Sequence, residues 1–169
     1  MMNAPIGMCL IAPDGSFLGV NPALCALLDR DEPTLLRTTW QEMTHPDDLE
    51  ADLTLVADVI DGKRDTYRLA KRYLRPNGDV VWGDLSVSAV RTTDGRVRFF
   101  ISQIVDVTAA RQADQAAREA TALLERSQSE YRMLAENASD VVFLAGPDRC
   151  VRWVSPSVTR SLGWTPDEL

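Results

Sequence analysis

The 169-residue sequence predicts an α+β fold: a five-stranded antiparallel sheet with helices on one face, followed by a long linker helix. Three observations carry that expectation. Two short apolar strands flank a Pro-Asp turn at the start, and three longer alternating strands joined by Gly-containing turns end near residue 107. Between the two sets the apolar period changes from two to the helical repeat. From Thr108 to Leu134 there is then neither Gly nor Pro, and alanine is abundant.

The elements follow in order. Gly7–Ala12 and Ser16–Val20 read as strands around Pro13-Asp14. Asn21 precedes Pro22, which places a capping side chain before a proline whose missing N–H costs nothing at the first helical position; a short helix, Pro22–Leu28, follows. Residues 29–44 are mixed and predict short helical turns. Pro46 to Ile60 carries Leu49, Leu53, Val56 and Ile60 on one helical stripe and stops at Gly62. Thr66–Leu74, Val80–Arg91 and Val97–Val107 are strands, joined by Pro76-Asn77-Gly78-Asp79 and Thr93-Asp94-Gly95. On Val80–Arg91 alternation assigns Val81, Gly83, Leu85, Val87 and Ala89 to the core face.

The helix from Thr108 carries Ala110, Ala113, Ala117, Ala120, Leu124, Ser127, Tyr131 and Leu134 in alternating steps of three and four. Such a seam predicts a parallel homodimer contact, the alternative being a helix lying on its own domain. Asp106 or Thr108 can cap its start.

An internal repeat sets the domain organisation. Shifted by 134 positions, residues 3–35 align without a gap on 137–169, and nine of the 33 pairs are identical, among them Pro13/Pro147, Asp14/Asp148, Val20/Val154 and Pro22/Pro156. Ser155-Pro156 repeats the capping arrangement of Asn21-Pro22. The expected division is residues 1–107 as one domain, 108–134 as a connecting helix, and 135–169 as the truncated start of a second copy.

Charge narrows the partners. The chain has 18 Lys+Arg, 25 Asp+Glu and a net charge of −7, and residues 1–107 hold five of those seven excess negative charges. An acidic chain without a basic face reads against nucleic acid. No run approaches the roughly 18 apolar residues of a membrane span, and the N-terminus lacks a signal-peptide pattern, so a cytoplasmic location without membrane contact is expected. Cys9, Cys25 and Cys150 are odd in number, lie in apolar runs and read as reduced core residues.

Several of these segments resemble the PAS sensory domain: the strand–Pro-Asp-Gly–strand–Asn-Pro opening, Trp40 with Thr44-His45-Pro46-Asp47-Asp48-Leu49, and Lys71-Arg72-Tyr73, Asn77-Gly78, Val81-Trp82 and Asp106-Val107-Thr108, the last group being similar to its C-terminal PAC half. The resemblance implies a cytosolic sensory or dimerisation module. It further implies tandem PAS domains joined by a helix, ahead of a diguanylate cyclase (GGDEF), a cyclic-di-GMP phosphodiesterase (EAL) or a histidine kinase. A haem or flavin redox sensor is a second hypothesis, and a purely structural dimerisation module a third.

No catalytic motif and no metal-ligand spacing is present, so no enzyme is expected within this segment. His45 is the sole histidine; followed by Pro46, it reads as a helix start, with Asp47 and Asp48 complementing the helix dipole and Asp48 reaching back to the cap amide. The resemblance makes His45 the one candidate haem ligand, but its capping role reads against haem. Photoactive flavin members carry an Asn-Cys-Arg motif, which is lacking around Cys25. They also carry a glutamine two residues before the closing Asp, whereas Gln103 stands three before Asp106. A filled core without cofactor is the favoured reading, with a small organic ligand left open; candidate contacts are His45, Gly83, Leu85 and Val87. Asp106, Val107 and Thr108 are the candidate transmission residues, because the last strand runs through them into the helix, and Asp106 is expected to pair with Arg96 or Arg98. Because the first strand begins close to the N-terminus, one sheet face is also expected to be open for dimerisation.

Overall fold

The computed structural model describes residues 6–136 and 141–163, with the side chains of 134–136 left aside. Residues up to Gln112 and those from Ala113 form two compact units.

The first unit contains β1 (Gly7–Ile11), β2 (Phe17–Val20), α1 (Pro22–Leu28), α2 (Glu32–Leu35), α3 (Trp40–Met43), α4 (Pro46–Ile60), β3 (Thr66–Leu74), β4 (Val80–Arg91) and β5 (Val97–Asp106). The strands form one antiparallel sheet in the order β2-β1-β5-β4-β3. One face of that sheet packs on the helices. Cys9, Ile11, Phe17, Tyr67, Tyr73, Val81, Leu85, Val87, Phe100 and Ile104 from the strands are buried with Leu24, Leu27, Leu28, Leu35, Met43 and Val59 from the helices. Alternation on β4 places Val81, Gly83, Leu85 and Val87 inward as expected, with Ala89 half-buried.

Local chemistry explains the element starts. Asn21 Oδ1 accepts the Leu24 amide at 2.9 Å and also the Met8 amide at 2.9 Å, so one side chain caps α1 and ties it to β1. Asp31 caps α2 through Thr34 N at 2.9 Å. His45 caps α4, its Nδ1 accepting the Asp47 amide at 3.3 Å.

Helix α4 differs from the expected stripe in phase. Leu53 and Ile60 are exposed, while Asp52 and Val59 are fully buried with Leu55 and Val56 partly so. The inward face is therefore rotated by about one residue, roughly 100°. The cause is polar: Asp52 is drawn into the core by Lys71 and Tyr67. The cysteines also separate. Cys9 is buried and Cys25 half-buried, whereas Cys150 is exposed, contrary to its reading as a core residue, because the hairpin carrying it buries little more than Val154 of its apolar residues.

Helix α5 (Thr108–Glu136) begins in the first unit and continues into the second, which adds β6 (Phe143–Ala145), β7 (Val151–Val154) and α6 (Ser157–Leu162). The 134-residue repeat reappears in the hydrogen bonding. Asn21 N donates to Met8 O at 3.0 Å, and Ser155 N donates to Val142 O at 2.8 Å. Met8 N donates to Asn21 Oδ1, and Val142 N to Ser155 Oγ, both at 2.9 Å. The turns match as well: Ala12 N donates to Ser16 O at 2.9 Å and Gly146 N to Cys150 O at 2.8 Å. One departure is that α6 starts at Ser157, one residue later than Pro156 predicts. Asn3 and Ala4 of the first copy, and residues 137–140 and 164–169 of the second, lie outside the described residues.

Candidate functional site

Two places in the first unit combine polar chemistry with an unusual position: a cavity between sheet and helices, and the junction from β5 into α5.

The cavity has a volume of about 40 Å³. Its apolar walls include Leu28, Met43, Val56, Leu85, Val87 and Phe100. Into this setting β3 sends Lys71, only 1% exposed, and α4 sends Asp52, also 1% exposed. Lys71 Nζ donates to Asp52 Oδ2 at 2.5 Å and to Thr44 Oγ1 at 2.8 Å, and it lies 4.7 Å from the ring centroids of both Trp40 and Tyr73. Tyr67 Oη donates to Asp52 Oδ1 at 2.7 Å. The pair is thus hydrogen-bonded on both sides, the condition under which a buried charge pair is tolerated. Burial pulls the Lys71 ammonium below its ordinary pKa, against the opposing pull of Asp52. It pushes the Cys9 thiol up to about 12 and the Tyr67 and Tyr73 phenols above their ordinary value.

The sequence-predicted contacts fare unevenly. Leu85 and Val87 line the cavity. Gly83 does not, because Tyr73 occupies the room it leaves: a Cβ at Gly83 would lie 2.5 Å from Tyr73 Cε2 and 2.8 Å from Ile104 Cγ2. His45 stands at the N-terminus of α4, outside the cavity lining, with its amide bonded to Arg72 O at 2.9 Å. These residues do not fit a haem, since the one histidine is turned to capping and the void is far smaller than a macrocycle. Nor does a void of about 40 Å³ fit a flavin. Among the described residues no three His, Cys, Asp or Glu side chains group so as to hold a metal. Asp48 is also placed differently from expectation. Its carboxylate accepts from the Arg72 amide at 2.8 Å and from the guanidinium at 3.0 and 2.7 Å rather than from the cap amide, because β3 brings Arg72 against the first turn of α4. This bidentate pairing holds the Asp48 carboxyl below its ordinary pKa.

At the junction, Asp106 Oδ1 accepts the Thr108 amide at 2.8 Å, so Asp106 is the side chain that caps α5. The expected pairing with Arg96 or Arg98 does not form. Those residues sit at and just before the far end of the ten-residue strand β5, roughly 26–33 Å away along an extended chain. Arg96 instead pairs with Asp94 at 2.7 Å, and Arg98 lies over Phe99. Thr108 turns outward from its own helix: its Oγ1 accepts the Trp82 amide at 2.9 Å, while Val107 N donates to Trp82 O at 2.9 Å. Arg111, one turn on, places its guanidinium 4.1 Å from the Trp82 ring centroid, and Arg72 lies 5.5 Å from the same centroid. The chain of contacts Asp47/Asp48–Arg72–Trp82–Arg111 therefore runs from α4 across β3 and β4 to the first turn of α5. Sequence reasoning found Asp106, Val107 and Thr108 but not Trp82 and Arg111. Their signal was available in the pairing of the β4 and β5 hairpin, which sets Trp82 beside the end of β5.

Of the seam residues, Ala110, Ala113, Ala117, Ala120, Leu124 and Tyr131 are exposed in the single chain and Ser127 is half-buried. The side chain of Leu134 lies outside the described residues.

With this geometry in view, comparison with known proteins places the class. The family model described as PAS fold matches residues 17–104, and the chain belongs to that family. It is a PAS sensory domain over this region. Among curated proteins it is 43% identical over 115 residues to the "Probable diguanylate cyclase DgcE" of Escherichia coli (strain K12), a stretch that is 68% of this chain and 10% of that protein. The chain thus spans about a tenth of the length of that relative. Two solved structures share the fold. One is the N-terminal domain of a diguanylate cyclase with PAS/PAC sensor from Marinobacter aquaeolei, with a TM-score of 0.56, 22% identity, and 63% of this chain and 99% of that one covered. The other is a sensory box histidine kinase/response regulator from Burkholderia thailandensis E264, with a TM-score of 0.58, 24% identity, and 73% and 92% covered.

Proposed function

We propose that this chain is the sensing and transmitting part of a bacterial signalling protein whose output is the making or breaking of cyclic-di-GMP. In this reading the PAS domain biases the start of α5, and α5 carries the bias to a downstream output domain. The region itself is regulatory rather than catalytic, works in the cytoplasm and acts as a homodimer along the α5 seam. The carrying observation is the junction. Two backbone strands of the sheet, through Trp82 and Val107, hold the first turn of α5 by hydrogen bonds at both Thr108 Oγ1 and Val107 N. A displacement of β4 or β5 must therefore move the helix. The 43% identity to a probable diguanylate cyclase favours that output over a histidine kinase, for which the support is fold likeness alone. No helix of the described residues is long and apolar enough to cross a membrane.

The test is made in the full-length protein. Asp106→Ala removes the α5 cap, at about 1 kcal/mol, without touching the core. Its cyclic-di-GMP turnover is expected to differ at least threefold from wild type, with the melting of the PAS domain nearly unchanged. Turnover equal to wild type would overturn the reading. A full-length protein carrying a phosphoacceptor histidine and an ATP-binding domain, in place of a Gly-Gly-Asp-Glu-Phe or Glu-Ala-Leu segment, would move the output to a histidine kinase.

A further inference from the structure

Arg72, on the edge strand β3, is engaged from two sides. Its backbone fixes the start of α4: its carbonyl accepts the His45 amide at 2.9 Å, and its own amide donates to Asp48 Oδ2 at 2.8 Å. Its guanidinium continues the grip, donating to Asp48 at 3.0 and 2.7 Å and to Asp47 at 3.1 Å. The same guanidinium lies 5.5 Å from the centroid of the Trp82 ring, which Arg111 of α5 approaches at 4.1 Å. Two cations therefore share one ring and stand no more than about 10 Å apart, close to the Debye length at physiological ionic strength. The Arg72 side chain is only 25% exposed, so salt screens it incompletely.

Each cation is drawn to the ring, and each repels the other. The carboxylates of Asp47 and Asp48 offset that repulsion, because they balance Arg72 and leave the ring to Arg111. Arg68, on the same face of β3, has its own counter-charge in Asp84 at 3.1 Å and takes no part in this balance. The carboxylates arrive with α4, whose apolar anchorage is thin. Of its 15 residues Asp52 and Val59 are buried, with Leu55 and Val56 partly buried against the core, whereas the seven-residue α1 buries Leu24, Leu27 and Leu28. Val59, Val56 and Leu55 all lie in the later turns, so the first turn of α4 is held to the sheet chiefly by Arg72.

The geometry points to Arg72 as a positioning residue for α5, coupling the seating of the first turn of α4 to the hold on the first turn of α5 through Trp82 and Arg111. With α4 seated, Arg72 is balanced and Arg111 keeps its place on the ring. With that turn withdrawn, Arg72 stands uncompensated beside the ring, Arg111 is repelled, and the start of α5 loosens. The route runs around the β3 edge and over the outer side of β3 and β4, apart from the cavity. The inference rests on the transmitting role given to α5 above and names what regulates its start.

The experiment is a charge-balance cycle read by hydrogen exchange in the 169-residue chain. Asp47→Asn with Asp48→Asn keeps the shape and an acceptor oxygen at each position but removes the counter-charge. In this variant the amides of Arg111 and Gln112 are expected to exchange at least threefold faster, measured relative to the central β4 and β5 amides, which report the domain as a whole. With Arg111→Gln also present, the same two substitutions are expected to raise Gln112 exchange by less than half as much, because no second cation is left to repel. Adding Arg72→Gln to the Asp47→Asn, Asp48→Asn chain is expected to restore protection of the first turn, since the uncompensated charge is gone. A rise no larger than that of the central strands, an equal rise with and without Arg111, or no rescue by Arg72→Gln would each overturn the inference. Asp106→Ala leaves both carboxylates, Arg72 and Trp82 in place, so failure of the junction reading and failure of this coupling are separate results.

Discussion

Lys71 and Asp52 tie α4 to β3 inside the core. Each is nearly fully buried, and each compensates the other, so removing one strands a charge in the core. Asp52→Ala is accordingly expected to destabilise the domain by about 3–5 kcal/mol, whereas the double change Lys71→Met with Asp52→Leu should cost far less. Urea unfolding of both variants checks this, and equal losses would show that packing rather than charge is decisive. Asp48 supplies a second residue-level test. Its carboxyl sits below the ordinary 3.8 because Arg72 grips it. The folded state therefore binds fewer protons than the unfolded state in the window just below that value, and stability rises with pH there. Above it, wild type should exceed Asp48→Asn by about 1–3 kcal/mol. That margin should shrink as pH falls through the folded-state pKa, as read from urea midpoints between pH 2 and 6. A margin independent of pH would remove the ionised carboxylate from the account.

At the scale of elements, the sheet was the legible part. Strand alternation on β4 separates Val81, Leu85 and Val87 from Trp82, Ser86 and Ser88 because each strand has one wet and one dry face. The α4 stripe was misphased because apolar counting follows Leu49, Leu53, Val56 and Ile60, while a buried carboxylate is invisible to it. Yet a signal was there. Period two from Tyr67 reaches Lys71 and Tyr73 on one face of β3, and Asp52 stands three residues after Leu49 and four before Val56. A lysine and an aspartate, each on an apolar face, are a pair that can be looked for. The junction was half legible for a related reason. Caps are local in sequence, so Asp106 and Thr108 could be named, but the Trp82 clamp joins residues 26 apart. Trp82→Ala removes the ring that Arg111 and Arg72 lie over while keeping the backbone bonds. The amides of Arg111 and Gln112, the first bonded within α5, should then exchange at least tenfold faster, with the central β4 and β5 amides little changed. Unchanged protection in that first turn would reduce the ring to surface packing.

At the scale of the whole molecule, the proposed homodimer could use either of two exposed apolar surfaces. One is the outer sheet face, where Met8, Leu10 and Leu18 are exposed beside Ile6. The other is α5, with Leu124 59% and Tyr131 72% exposed on a seam that begins with close-packing alanines. A long amphipathic helix gains little from propensity alone and more from burying its stripe, which favours the seam. Cutting after Gln112 separates the two without harming the clamp, since Thr108 and Arg111 are retained. Residues 1–112 should sediment as monomers and residues 1–136 as dimers, and Leu124→Glu in the longer chain should weaken its association at least tenfold by placing like charges face to face in a parallel pair. A dimer of residues 1–112 would move the interface to the sheet and leave α5 as a connector alone. Monomers of both lengths would overturn the homodimer reading.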